Sequence, residues 1–257
     1  MSSQTVGLFA AFGAAALSFL TEARDRAPWV RTVSRSVFGL AVGALVFVLG
    51  RVWVEAGRPP MATLYESILV FVLMASLTYV AFDRVRSPAL GAVVCAALAA
   101  TLLYAALRAD LEALRLPPSL RSVWFVPHVS VYLLGYGALF FGTTCAVSVL
   151  LGRSFGSAEL MHRAISAGFA LVTLGLVIGA IWAEEAWGDW WAWDPKECWA
   201  LVTWLVYSVY FHVRRQPRWG DRVGAWVAVL GFSAVLATYL GLGFLPSMEA
   251  SVHVYAR

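Results

Sequence analysis

Residues 88–107, PALGAVVCAALAATLLYAAL, form a run of 20 residues without one charged side chain. As a helix rising 1.5 Å per residue it is about 30 Å long, the thickness of a bilayer's hydrocarbon core. Comparable runs lie near 4–20, 36–54, 64–82, 124–151, 164–183, 198–213 and 223–245. The 257 residues are 61% hydrophobic and 13% charged, against roughly 45–50% and about 25% in a soluble domain. Eight crossings of about 20 residues each leave only short connections, and no repeat or linker marks a second domain. The predicted fold is an all-α integral membrane protein, one polytopic domain over 1–257 built as a bundle of about eight transmembrane helices.

Charge sets the expected orientation. Of the 19 basic residues, twelve fall in the first, third, fifth and seventh connections (Arg24, Arg26, Arg31, Arg35, Arg84, Arg86, Arg153, Arg163, Arg214, Arg215, Arg218, Arg222). The positive-inside rule puts those connections in the cytoplasm and both termini outside. The first apolar run has no basic stretch before it and no small-residue cleavage site after it, so it reads as a retained span. Residues 107–116, LRADLEALRL, place leucines on one face and charges on the other; a short helix on the outer surface and a solvated connector both fit. Basic residues grouped at span ends do not indicate nucleic-acid binding. Cys95, Cys145 and Cys198 are isolated from one another, with neither disulfide-framework nor C-x-x-C spacing, so thiol chemistry belongs to a partner.

Seven of the 12 tryptophans lie between Trp182 and Trp204, in the third of the outer connections and the spans beside it. Interfacial belts account for one or two per helix end, not for W-G-D-W-W-A-W at 187–193. Several indoles in one loop, about 182–199, suit a large flat apolar ligand at the bilayer boundary, and a porphyrin is such a ligand. Stacking adds about 0.5–1.5 kcal/mol per ring beyond area burial. Trp187, Trp190, Trp191 and Trp193 are the candidate contacts. Asp194-Pro195-Lys196-Glu197 reads as a helix start, with a capping side chain, proline at the first position and glutamate three residues after the cap. Such a cap also fixes the loop ahead of it, so Asp194 belongs with the candidate site on either reading.

Four histidines remain to be placed. His128 follows Pro127 at the outer end of the fifth span, and His253 sits in the outer tail. Both share the membrane face of the tryptophan loop, and a pair of neutral imidazoles is what six-coordinate haem iron requires; interfacial filler is the bland alternative for each. His212 lies 14 residues after Cys198, about 21 Å deeper along the seventh span. It either binds iron within the membrane, with an opposite ligand from another polypeptide, or reaches the headgroups beside Arg214 and Arg215. His162, at the cytoplasmic start of the sixth span, reads as a snorkelling interfacial residue. Glu66, in Leu64-Tyr65-Glu66-Ser67, is an acid set in the apolar start of a span; local hydrogen bonding and orientation of a ligand group both fit it.

The segment WAEEAWGDWWAWDPKECWALVTWLVYSVYFHVR at 182–214 resembles the signature of the CcsA (ResC) cytochrome c biogenesis family, within the haem-handling superfamily that shares a tryptophan-rich "WWD" segment. LYES at 64–67, WFVPHVSVYLLGYGAL at 124–139 and the tail GLGFLPSMEASVHVYA extend the likeness to about three quarters of the chain. Glu184 stands where the family commonly has asparagine, Cys198 where it has threonine or serine, and V-H-V-Y replaces L-H-S-Y in the tail. No presumed ligand is altered.

The resemblance implies the membrane subunit of a System II cytochrome c synthase, which exports haem b as its cargo and presents it to apocytochrome c on the outer face. It implies that His128 and His253 are the external axial ligands of the haem iron, that the tryptophan segment and Asp194 hold the ring, and that His212 is a ligand of an intramembrane haem. The second intramembrane ligand then comes from a CcsB (ResB) type membrane subunit, and a thioredoxin-like protein keeps the substrate's thiols reduced. A haem lyase of this kind forms thioether bonds between haem vinyls and C-x-x-C-H cysteines. The rival from another class is a bis-histidine electron-transfer cytochrome, which calls for histidine pairs at matched depths on facing helices; a solute transporter is disfavoured by the shortage of charges inside the spans. Arginine over lysine and abundant alanine, valine and glycine point to a GC-rich bacterial genome rather than a plastid, and the expected location is then a bacterial inner membrane.

Overall fold

The computed structural model describes residues 3–82, 87–107, 118–216, 219–241 and 251. Eight helices are found among them: α1 (Ser3–Arg24), α2 (Pro28–Ala56), α3 (Leu64–Phe82), α4 (Pro88–Leu107), α5 (Phe125–Leu150), α6 (Ala158–Trp187), α7 (Pro195–Arg214) and α8 (Gly220–Leu240), with a 3-10 turn at Pro118–Arg121 ahead of α5. Seven are long and apolar enough to cross a membrane, and the chain is a polytopic helical membrane protein. The exception, α7, has span length but carries tryptophan, tyrosine, Lys196 and Glu197 in place of aliphatic residues. The predicted surface helix at 107–116 falls outside the described residues from 108 onward.

Helices outrun their apolar cores where caps extend them. The run at 164–183 becomes the 30-residue α6 because Ser157 caps its start, its hydroxyl accepting from Leu160 N at 3.1 Å, and Gly188 ends it at φ 82°. The run at 36–54 becomes the 29-residue α2, started by Pro28 at the first helical position and stopped by Gly57 at φ 63°. Positive φ suits glycine, which has no Cβ to clash. Both helices exceed about 43 Å, so their ends reach past a 30 Å hydrocarbon core.

Two compact units divide the helices, α1–α4 and α5–α8. In the first, α1 packs along α4, α2 lies against α1, and α3 against α4 and α2. Tyr79 packs edge to face with Phe19 at 6.2 Å and Phe38 at 5.4 Å, and those two rings meet at a tilt. Beside them Glu22 is buried between Arg31 at 3.7 Å and Arg35 at 3.6 Å, and Arg35 Nη1 donates to Tyr79 Oη at 3.0 Å. In lipid such charges are retained only when paired.

In the second unit α5 and α6 come into backbone contact: a Cβ on Gly168 would lie 3.0 Å from Gly135 O. Small residues permit this approach, the main source of helix association in lipid. Tyr136 meets Tyr239 and Phe140 meets Phe232 across α5 and α8, while Thr203 Oγ1 lies 3.2 Å from Thr238 Oγ1 and Arg214 pairs with Asp221 across α7 and α8. All these pairings are antiparallel. They bring the start of α5, the end of α6, the start of α7 and the end of α8 to one end of the unit.

Candidate functional site

That end carries His128, the tryptophan loop and Asp194. Asp194 and Glu197 form a reciprocal capping box at the start of α7: Asp194 Oδ1 accepts from Lys196 N at 2.8 Å, and Glu197 Oε2 accepts from Asp194 N at 3.1 Å and from Ala192 N at 3.0 Å. Trp193, just before the cap, adopts φ 58°, a region bulky side chains rarely enter. Its carbonyl accepts from Cys198 Sγ at 3.4 Å. Lys196, in the first turn and ahead of the apolar run at 198–213, has its ammonium pKa pushed down to about 8 by burial, with the Asp194 carboxylate pulling the other way.

The clustered tryptophans divide into roles that their spacing did not separate. Trp182 is buried, donates from Nε1 to Ser119 O at 3.0 Å, and packs against Phe125 at 5.7 Å and Trp187 at 5.1 Å. Trp204 donates to Thr173 Oγ1 within the helices. Trp190 and Trp193 are 61% and 68% exposed, and Trp191 is half-buried, in T-shaped contact with Trp193 at 5.8 Å. Two open indoles therefore flank one partly sheltered ring.

His128, in the first turn of α5, is held against α6. Its Nδ1 lies 3.1 Å from Gly175 O; a carbonyl only accepts, so Nδ1 carries a proton, which in a neutral ring leaves the lone pair on Nε2. A histidine ligand is commonly oriented by such a bond from its other nitrogen. The ring packs against Trp182 at 5.2 Å and Tyr132 at 4.9 Å, and the space for it exists because residue 179 is glycine: a Cβ there would stand 2.6 Å from His128 Cε1. Gly175, Gly179, Tyr132 and Ser119 were not singled out from the sequence. Only the Gly168, Gly175 and Gly179 spacing on one α6 face hinted at them.

His253 lies outside the described residues. Ser251 does not: it is buried, and its hydroxyl donates to Asp194 Oδ1 at 2.9 Å. Asp194 thus joins the α7 start, the loop and the C-terminal segment.

At the opposite end of the unit His212 is exposed in the last turn of α7, its ring 6.2 Å from Trp219. Arg214 turns to Asp221 rather than lying free beside it. His162 packs into the unit instead of snorkelling, stacked on Tyr210 at 6.0 Å with Nδ1 3.4 Å from Tyr210 Oη, and against Phe211. In the first unit Glu66 is engaged locally: Arg58 grips it through two bonds of 2.8 and 2.9 Å, and it accepts from Ala62 N and Thr63 N to cap α3. Among the described residues no group of three or more His, Cys, Asp or Glu side chains suits a bare metal ion.

The model of the family described as "Cytochrome C assembly protein" matches residues 61–248. The chain is 34% identical to the cytochrome c biogenesis protein CcsA of Synechococcus sp. (strain RCC307), over 83% of each chain. It is 36% identical to the protein of that name from Prochlorococcus marinus subsp. pastoris, over 75% of this chain and 74% of the other, and 34% identical to that of Guillardia theta, over 80% of each. Among solved structures it resembles "Cytochrome c Heme Lyase CcmF", with a TM-score of 0.70 at 21% identity over 95% of this chain. It spans 47% of that longer chain, and the likeness is one of fold.

Proposed function

Because the chain belongs to the cytochrome c assembly protein family, in its CcsA branch, and so has a role in cytochrome c maturation, we propose that it is the membrane subunit of a System II cytochrome c synthase, holding haem b as cargo at the tryptophan loop for ligation to apocytochrome c. The observation that carries this reading is the His128 imidazole, oriented by Gly175 O at 3.1 Å and set beside Trp182 at the end of the unit that bears the loop. Asp194 supports it from the other side. Ser251, bonded to Asp194, precedes His253 by two residues, and two residues of chain span at most about 7 Å. His128 and His253 take the two faces of the iron, with Trp187, Trp190, Trp191 and Trp193 against the ring.

Bis-imidazole ligation with a sheltered ring keeps oxygen from the iron and sets its potential through ligand and dielectric. The apocytochrome's C-x-x-C-H segment brings its own histidine to displace one ligand. Each thiol then adds across a vinyl: sulfur bonds one vinyl carbon, the thiol hydrogen ends on the other, and no electron is gained or lost. The protein supplies position; a thioredoxin-like protein keeps the thiols reduced. His212, facing outward from the helices, serves a haem within the membrane, whose opposite ligand comes from a CcsB/ResB-type subunit. The protein resides in a bacterial inner membrane, with the loop and both termini on the outer side.

Replacing His128 and His253 with alanine together, in cells carrying the CcsB-type subunit, abolishes holocytochrome, and added imidazole restores part of it. His212→Ala lowers the haem that copurifies. Unchanged assembly in the double variant removes the ligand assignment, and a protein that cycles electrons through haem without passing it on is a cytochrome instead.

A further inference from the structure

Two indole N–H groups of α6 and α7 have acceptors of this chain: Trp182 donates to Ser119 O and Trp204 to Thr173 Oγ1, each at 3.0 Å. A further indole nitrogen, Trp191 Nε1 in the loop between them, is buried and has no acceptor among the described residues. An indole nitrogen is a donor only, and native structures leave few buried donors unpaired.

The loop backbone on both sides of Trp191 is pinned. Its start follows Gly188 at φ 82°, and Trp193 is held at φ 58°. Ala192 N and Asp194 N are both bonded to Glu197 Oε2, and Trp193 O takes the Cys198 thiol. Backbone strain of this kind persists where the surroundings over-determine it and marks functional loops. The Trp191 ring packs against Trp193 in a T-shaped contact at 85° between planes. The nearby carboxylates do not serve: Asp194 and Glu197 are taken up by the cap and by Ser251, while Glu184, Glu185 and Asp189 are exposed.

We infer that Trp191 Nε1 donates a hydrogen bond to a carboxylate of the bound tetrapyrrole, making Trp191 the residue that decides which edge of the macrocycle enters the loop. This rests on the reading of the site as a haem site. A carboxylate is the strong acceptor that such a ring carries, and a bond to it is charge-assisted. Carboxylate and vinyl substituents sit on opposite sides of the ring, so holding the acidic edge at Trp191 turns the vinyl edge toward an incoming thiol. Trp191 is a positioning residue and touches no reacting atom.

Trp191→Phe keeps the aromatic face and deletes the donor. In the purified complex with its membrane partner, titrated with haem and with haem dimethyl ester, the variant loses about tenfold in affinity for haem and less than about twofold for the diester. The retained diester affinity shows that the site is folded. Unchanged haem affinity, or an equal loss for both ligands, overturns the assignment. A wild-type complex that binds neither ligand removes the haem reading itself.

Discussion

Gly179→Ala tests the most specific contact of the site without touching a candidate ligand. The added methyl stands 2.6 Å from His128 Cε1 and 2.8 Å from Nδ1, where ordinary contact begins at 3.4 Å. The imidazole must withdraw by about 0.8 Å. Gly175, whose carbonyl accepts the hydrogen bond from Nδ1, lies one turn earlier on the same helix, so a ring pushed off Gly179 cannot keep its 3.1 Å bond. The lost hydrogen bond costs about 1 kcal/mol and the overpacking about 1–3 kcal/mol. The low end, about 2 kcal/mol, is roughly a thirtyfold loss in binding, and a 1 Å misplacement costs on the order of a hundredfold in rate. Haem-stained holocytochrome, measured at equal membrane levels of the protein, falls at least tenfold. Exogenous imidazole recovers part of it, because the fault is a misplaced ligand. Gly39→Ala, at a position where a Cβ meets nothing within 4 Å, leaves assembly at the wild-type level. Wild-type assembly in Gly179→Ala, with an unchanged haem spectrum, would show that His128 is not held against α6 as described.

Two more substitutions separate local from site roles. Ser251→Ala removes the hydroxyl that ties the C-terminal segment to Asp194; holocytochrome yield falls about tenfold, the cost of a bond to a charged acceptor, while protein level is unchanged, and equal yield argues against Asp194 as the anchor. Glu66→Ala breaks the paired Arg58 and the α3 cap at once and destabilises by about 3 kcal/mol, read as a lower aggregation temperature in detergent. Lost assembly at undiminished stability would instead assign Glu66 to the ligand.

The parts of this protein set by near neighbours were legible in the amino-acid order. A 20-residue apolar run is a helix in lipid whatever surrounds it, and Asp194-Pro195-Lys196-Glu197 caps α7 with partners at most three residues away. Glu66 shows how far that reasoning reaches: its acid among apolar residues was visible, but its engagement depends on Arg58, eight residues back across the turn. Seven tryptophans within one stretch pointed to a flat ligand, yet only the fold separated buried Trp182 from open Trp190 and Trp193.

What the tertiary structure decided are the long-range meetings: His128 with Gly175 O, 47 residues apart; Trp182 with Ser119, 63 apart; Ser251 with Asp194, 57 apart. None follows from hydropathy, because the offset between two antiparallel helices in lipid is set by where small residues let backbones touch, and a slide of one turn brings a different residue opposite the histidine. The amino-acid order determined that this chain crosses the membrane many times and gathers its indoles in one loop. Which nitrogen of His128 carries the proton, and what room its ring has, were decided by the packing of α5 on α6.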